Sequence, residues 1–145
     1  MIIYESKTVY KKIGEVPKAA IDGPEVAVDY MRGAFKEFPL QEQVWVLCLD
    51  RKNKVRSREM VGLGTSTSCL VDASCVFRPA IVQGAPAIIV VHNHPSGDPS
   101  PSSGDLTCCK NIGNAGKTLN ILVNDFIVIG HGHKAWWSAS DVGLI

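Results

Sequence analysis

An excess of either charge is what this 145-residue chain most plainly lacks: 15 Lys and Arg face 14 Asp and Glu, for a formal net charge of +1. So close a balance gives no bulk electrostatic pull toward nucleic acid. The basic clusters Lys11-Lys12 and Arg51-Lys52-Asn53-Lys54-Val55-Arg56 read as solvated turns rather than phosphate patches. The five cysteines, Cys48, Cys69, Cys75, Cys108 and Cys109, are odd in number and contain no C-x-x-C pair. That argues against a disulfide framework and against a four-cysteine zinc site, and it favours reduced, mostly buried thiols. No apolar run reaches membrane-spanning length, and the early charges Glu5 and Lys7 interrupt any signal-peptide core. A cytoplasmic protein without a membrane partner is therefore expected. Repeats, low-complexity tracts and linkers are also missing. What is present is 46% apolar and 20% charged residues in a length sufficient for one domain with a real core.

Periodicity gives an order of elements. Met1 to Glu15 reads as an edge strand or an irregular arm. Asp22 can cap a helix in which Val26, Tyr30, Met31 and Ala34 recur as far as Phe38, where Pro39 ends it. Glu42 to Asp50 reads as a strand, Arg51 to Lys54 as a turn, and Val55 to Gly62 as the returning strand. Gly62 to Ser68 is a loop by composition, and Asp72 to Gln83 fits a helix despite Pro79. Ala85 to Val91 is an unbroken apolar run, as for a fully buried strand. Ser103 to Lys117 fits a helix with Leu106, Cys109, Ile112 and Gly113 inward and Gly116 as C-cap. Leu119 to Val123 and Phe126 to Ile129 predict two strands, Gly130 to His133 a turn, and Ala135 to Ser138 a last short strand. The expectation is an α/β fold with a mixed sheet flanked by helices, in one domain.

Chemistry concentrates just after the apolar run, in His92-Asn93-His94-Pro95-Ser96-Gly97-Asp98-Pro99-Ser100-Pro101-Ser102-Ser103-Gly104-Asp105. Alternate residues of a strand share a face, so His92 and His94 can reach one ion while Asn93 points the other way and can hold the loop. Pro95 has no N–H and stops the ladder. Asp105, near a helix N-terminus, can turn back as a third ligand. Two imidazoles and a carboxylate suit zinc (Zn2+), with the fourth position left for water. Ser102 would then lie near the open position, able to donate to a developing oxyanion. A general base is also required, and Glu37, Glu42, Glu59 and Asp98 are the candidates. Glu42 stands out because its charge opens the most apolar strand.

Other features carry less. His131-Gly132-His133 has no carboxylate before Asp141 and reads as a hairpin tip. Trp136 and Trp137 read as a packing pair, Cys108 and Cys109 as core filler, and Gly62-Leu63-Gly64 is too short for a nucleotide loop. A zinc nucleobase deaminase needs H-x-E followed by P-C-x-x-C, and neither occurs.

The run H-N-H-P-S-G-D-P-S-P-S with its trailing Asp closely resembles the signature of the RadC family, within the JAB/MPN metalloprotease-like group. That group's JAMM motif is a Glu followed later by H-x-H, seven residues, Ser, two residues and Asp, and His92, His94, Ser102 and Asp105 fit the spacing without a gap. Glu42 to Asn53, Gly64-Thr65, and Asp125 with Ile127 to Gly130 extend the likeness across about Leu40 to Ser138. The resemblance implies a single JAB/MPN domain over 1–145, with 1–39 an arm and helix and 40–138 the motif-bearing core, in a cytidine-deaminase-like α/β/α layering. It implies His92, His94 and Asp105 as zinc ligands, Glu42 as general base through the zinc-bound water, and Ser102 as support for the tetrahedral intermediate. The implied activity is a zinc-dependent hydrolase of metallopeptidase or isopeptidase type, acting on a peptide or protein conjugate; self-association is left open. The alternative is a non-catalytic metal-binding module associated with DNA repair or recombination. The chain departs from the family pattern at Phe126, where a His is usual, and at Gly104, where an acidic residue is usual. The helix-hairpin-helix region of longer relatives is not matched, so direct nucleic-acid binding is not expected.

Overall fold

The computed structural model describes residues 2–5, 7, 9, 11–14, 20–64, 71–131 and 135–145. The described residues of the N-terminal arm have no regular structure and are exposed, Ile2, Ile3, Tyr4, Val9 and Ile13 among them.

The first helix, α1 (Pro24–Met31), buries Ala27, Val28 and Met31. It does not run to Phe38. Gly33 takes φ 86°, a left-handed conformation open to glycine at no steric cost, and a separate 3-10 turn follows at Ala34–Glu37. The N-cap is Gly23, not Asp22, and no side chain caps the end.

β1 (Gln43–Leu49) and β2 (Val55–Leu63) form an antiparallel hairpin. Its turn is fixed by Asp50, whose Oδ1 accepts from Lys52 N at 2.7 Å and Lys54 N at 3.0 Å, with Asn53 in the left-handed region. Gly62 and Leu63, expected in a loop, still belong to β2, and residues 65–68 of that loop lie outside the described residues. α2 (Ala73–Gln83) ends at Gly84, φ 61°, and keeps Pro79 within it. β3 (Ala87–Asn93) begins and ends two residues later than its apolar run, and all of its residues are buried.

α3 (Ser103–Leu119) outlasts the expected helix, and its left-handed C-cap is Asn120, φ 55°. Gly116 serves packing instead: an added Cβ would meet Ile121 O at 2.7 Å and Val123 at 2.8 Å. Asp105, Cys109, Ile112 and Gly116 are its buried face, while Leu106 and Gly113 stay half-buried. The two strands expected between Leu119 and Ile129 are one, β4 (Leu122–Ile129), because a local register shift opposite Ile88 and Ile89 absorbs Asn124 without ending the ladder. β5 (Trp136–Ser138) closes the edge.

The sheet order is β2-β1-β3-β4-β5, with β3 and β4 parallel and the other neighbours antiparallel. Alternation along the strands divides the core into two layers. Val44, Val46, Cys48, Ile88, Val90, Phe126 and Val128 pack with Val76, Phe77, Cys109 and Ile112 of α2 and α3. Leu47, Leu49, Ala87, Ile89, Val91 and Ile127 pack with Ala27, Val28 and Met31 of α1. The result is an α/β/α arrangement around a mixed five-stranded sheet, consistent with a JAB/MPN fold. Cys48, Cys75, Cys108 and Cys109 are free thiols. No helix among the described residues is long and apolar enough to cross a membrane.

Candidate metal centre

The centre lies where β1, β3 and the N-terminus of α3 meet. β1 and β3 are in register as Val44 opposite His92, and this pair ends their ladder. Glu42 and His92 therefore fall on the same face, the face covered by α3. Glu42 Oε2 lies 3.4 Å from His92 Nε2, although the carboxylate comes from just outside the strand.

α3 brings the second carboxylate. Ser102 is its N-cap, Asp105 N donates to Ser102 Oγ at 3.1 Å, and Ser102 N donates to Asp105 Oδ2 at 2.7 Å. This reciprocal capping box fixes the Asp105 side chain toward the strands. Asp105 Oδ2 is 3.1 Å from His94 Nε2, and Oδ1 is 3.5 Å from His92 Nε2. The two imidazoles stand perpendicular, ring centroids 5.0 Å apart.

The histidine tautomers follow from their other nitrogens. His92 Nδ1 is 3.0 Å from the carbonyl of Gln43, and His94 Nδ1 is 2.9 Å from the carbonyl of Asp98. A carbonyl only accepts, so each Nδ1 carries a proton, and each ring turns its Nε2 inward. Burial, the largest influence on His92, pushes its pKa below the ordinary 6.5 and so favours the neutral ring. Two inward Nε2 atoms thus face two carboxylates across 3.1–3.5 Å. A cation can be shared among these atoms, and a backbone carbonyl behind each imidazole is the usual support of a metal ligand. Glu42, His92 and His94 can place one ligand atom each within 4.8 Å of one another, a separation that one ion can span. The donor set of nitrogens and carboxylate oxygens suits zinc.

The other expected bases are elsewhere. Glu37 is exposed in the 3-10 turn and Glu59 is exposed on β2. Asp98 turns away: its Oδ1 accepts from Ser100 N at 2.9 Å, and bonds from Ser100 hold its carboxyl below the usual range, while its carbonyl supports His94. Ser102 is exposed, and because its Oγ accepts from Asp105 N its own proton remains free to be donated. Phe126 is buried in the α2/α3 layer of the core.

Close packing of glycine holds the His94 loop. His94 N donates to Ile129 O at 2.9 Å, Gly97 N to His94 O at 2.9 Å, and His131 N to Gly97 O at 3.0 Å. A Cβ on Gly97 would meet His131 Nδ1 at 2.8 Å, and one on Gly130 would lie 2.2 Å from Gly97 O. His131 thus buttresses the loop, and with Val28, Arg32, Phe35 and Ile129 it lines a cavity of about 400 Å3. His133 lies outside the described residues. Behind β4, Asp125 accepts from Ser138 Oγ at 2.7 Å, Phe126 N at 2.8 Å and Ser140 N at 3.0 Å, fastening β5. The supporting carbonyls of Gln43 and Asp98 were not singled out from sequence, since any residue type can offer a carbonyl.

Comparison with known proteins agrees with this geometry. The family model for the RadC-like JAB domain matches residues 21–144. A UPF0758 protein of Methanosarcina barkeri is 35% identical over 131 residues, 90% of this chain and 56% of that protein. A UPF0758 protein of Chlorobaculum parvum is 37% identical over 125 residues, 86% of this chain and 55% of that protein. One of Roseiflexus castenholzii is 45% identical over 92 residues, 63% of this chain and 40% of that protein. The chain spans about half the length of these relatives. With the family match covering all of the sheet and helices and the donor cluster at their junction, the chain belongs to the family of RadC-like JAB domains.

Proposed function

We propose that this protein is a zinc-dependent hydrolase of metallopeptidase or isopeptidase type that cleaves an amide bond in a peptide or protein conjugate. The observation that carries the reading is the pair of inward imidazole Nε2 atoms, each ring oriented by a carbonyl, facing carboxylates at 3.1–3.5 Å. His92, His94 and Asp105 hold the ion. Zinc supplies, when bound, a Lewis acid that acidifies a water and polarises the scissile carbonyl. Glu42 takes the proton of the attacking water and passes it to the leaving amine. Its burial, 7% exposed, keeps that transfer out of bulk solvent. Ser102, with its hydroxyl proton unused, donates to the oxygen that gains charge as the carbonyl is attacked. Free thiols at Cys48, Cys75, Cys108 and Cys109 are in keeping with a cytoplasmic setting.

The test is an unbiased screen of peptides and protein conjugates with zinc-loaded wild type and Glu42→Gln. Products made by the wild type and lost by at least 100-fold in the variant, at equal zinc content, are expected from removal of a general base, whose contribution is about 100- to 10,000-fold. Products formed equally by both proteins would remove Glu42 from the reaction. No products from either would favour a metal-binding module without catalysis.

A further inference from the structure

Between the two histidines sits Asn93, buried at 7% exposed, with its side chain on the opposite face of β3. The β1–β3 ladder stops at Val44 and His92. Beyond that pair, side chains of β3 take over the role of the ladder. Gln43 N donates to Asn93 Oδ1 at 2.6 Å, and Asn93 Nδ2 donates to Gln41 O at 3.3 Å. One carboxamide therefore spans Glu42, gripping the peptide groups on both sides of it.

Other main-chain groups around Glu42 are also held. Gly64 N donates to Glu42 O at 2.8 Å, and His92 Nδ1 donates to Gln43 O at 3.0 Å. The Gln43 side chain reaches Phe38 O at 2.8 Å and Phe35 O at 3.2 Å. Among these contacts Asn93 is the one joining the backbone of Glu42 to the histidine-bearing segment through a donor and an acceptor at once. An Asp would keep the acceptor and place a second oxygen against Gln41 O. A Ser would be too short to span both groups.

We propose that Asn93 is the positioning residue for Glu42: its carboxamide sets the carboxylate against the metal site from behind the strand, without touching ion or substrate. The proposal rests on the reading of Glu42 as the base beside a bound metal. Placement errors of about 1 Å in a reacting group can cost about 100-fold in rate, which gives such a clamp its value.

The experiment uses cobalt in place of zinc, because cobalt's visible absorption reports the geometry around the ion. Wild type, Asn93→Ala, Asn93→Asp, Glu42→Gln and the Asn93→Ala/Glu42→Gln double variant are loaded with cobalt, and metal content, absorption and melting temperature are measured. One cobalt per chain is expected in each. The Asn93→Ala spectrum is expected to move in the direction of Glu42→Gln, with Asn93→Asp between wild type and Asn93→Ala. The double variant is expected to match Glu42→Gln, because a clamp on Glu42 has nothing to position once that carboxylate is gone. A spectrum identical to wild type with only a lowered melting temperature would overturn the proposal, as would spectral changes that add in the double variant. If Asn93→Ala does not fold, Asn93→Asp against wild type decides in the same way. A wild type that takes up no cobalt at this site would overturn the metal reading itself.

Discussion

Asp105 is asked to do two things, cap α3 and hold the metal, and Asp105→Asn separates them. The amide oxygen of Asn can still accept from Ser102 N, now 2.7 Å from Oδ2, so the cap survives. The amide also keeps a polar group facing the Nε2 atoms of His94 and His92, which lie 3.1 and 3.5 Å from the carboxylate. The metal-free variant is therefore expected within about 0.5 kcal/mol of the metal-free wild type. Metal binding should respond very differently. Ligand at about 100 times its Kd stabilises a protein by roughly 2.7 kcal/mol. For a domain of this size that corresponds to about 5–11 °C in melting temperature. Loss of a direct ligand should cost at least the upper end of the roughly 10- to 100-fold that loss of a supporting group costs. At the same zinc concentration the gain then falls to about 0.4 kcal/mol, a shift of roughly 1–2 °C. Glu42→Gln, in which a base and not a ligand is lost, should keep most of the wild-type shift. Thermal melts of the three proteins with and without zinc make the comparison. A full shift in Asp105→Asn together with its loss in Glu42→Gln would overturn this division of roles. It would assign the ion to Glu42, His92 and His94, the trio whose ligand atoms lie within 4.8 Å, and leave Asp105 as a cap alone.

Three further outcomes follow from the supports. Gly130→Ala would drive a methyl into Gly97 O, 2.2 Å from the added carbon, so a loss of about 1–3 kcal/mol in denaturant unfolding and weaker zinc binding through the displaced His94 loop are expected. For Asp125, burial is the main cause that raises its pKa above 3.8. A carboxyl raised on folding binds its proton more tightly in the native state, so its contribution to stability is full below 3.8 and is lost as pH rises through the raised value. Stability curves of wild type and Asp125→Asn should therefore diverge as pH rises through that window, with the variant flatter. Asp125→Ala should lose about 2–3 kcal/mol at neutral pH by stranding the donors of Ser138, Ser140 and Phe126.

The reach of the sequence varied with the physics involved. The side-chain period along a strand put His92 and His94 on one face, and the spacing to Ser102 and Asp105 suited a helix start, so both were readable locally. The capping box that aims Asp105 is also a local pattern. Glu42 was different. Its position beside His92 depends on β1 pairing with β3 in one register, a contact about fifty residues apart that no local pattern contains; its charge at the head of an apolar strand marked it among four candidates, and the family resemblance gave it the role of base. The merger of two expected strands into β4 arose because Asn124, a weak strand former, is tolerated at a register shift. The early end of α1 depended on Gly33 adopting positive φ, which its composition permits but does not require. The carbonyls behind the histidines left no trace in residue type.

Whether His92, His94 and Asp105 hold a zinc ion with Glu42 beside it can be read from an anomalous difference map at the zinc edge, from crystals grown without chelator. One peak is expected within roughly 2.0–2.2 Å of the Nε2 atoms of His92 and His94 and of an Asp105 oxygen, with the Glu42 carboxylate outside that distance. A map without a peak there, or with Glu42 coordinating in place of Asp105, would contradict this assignment.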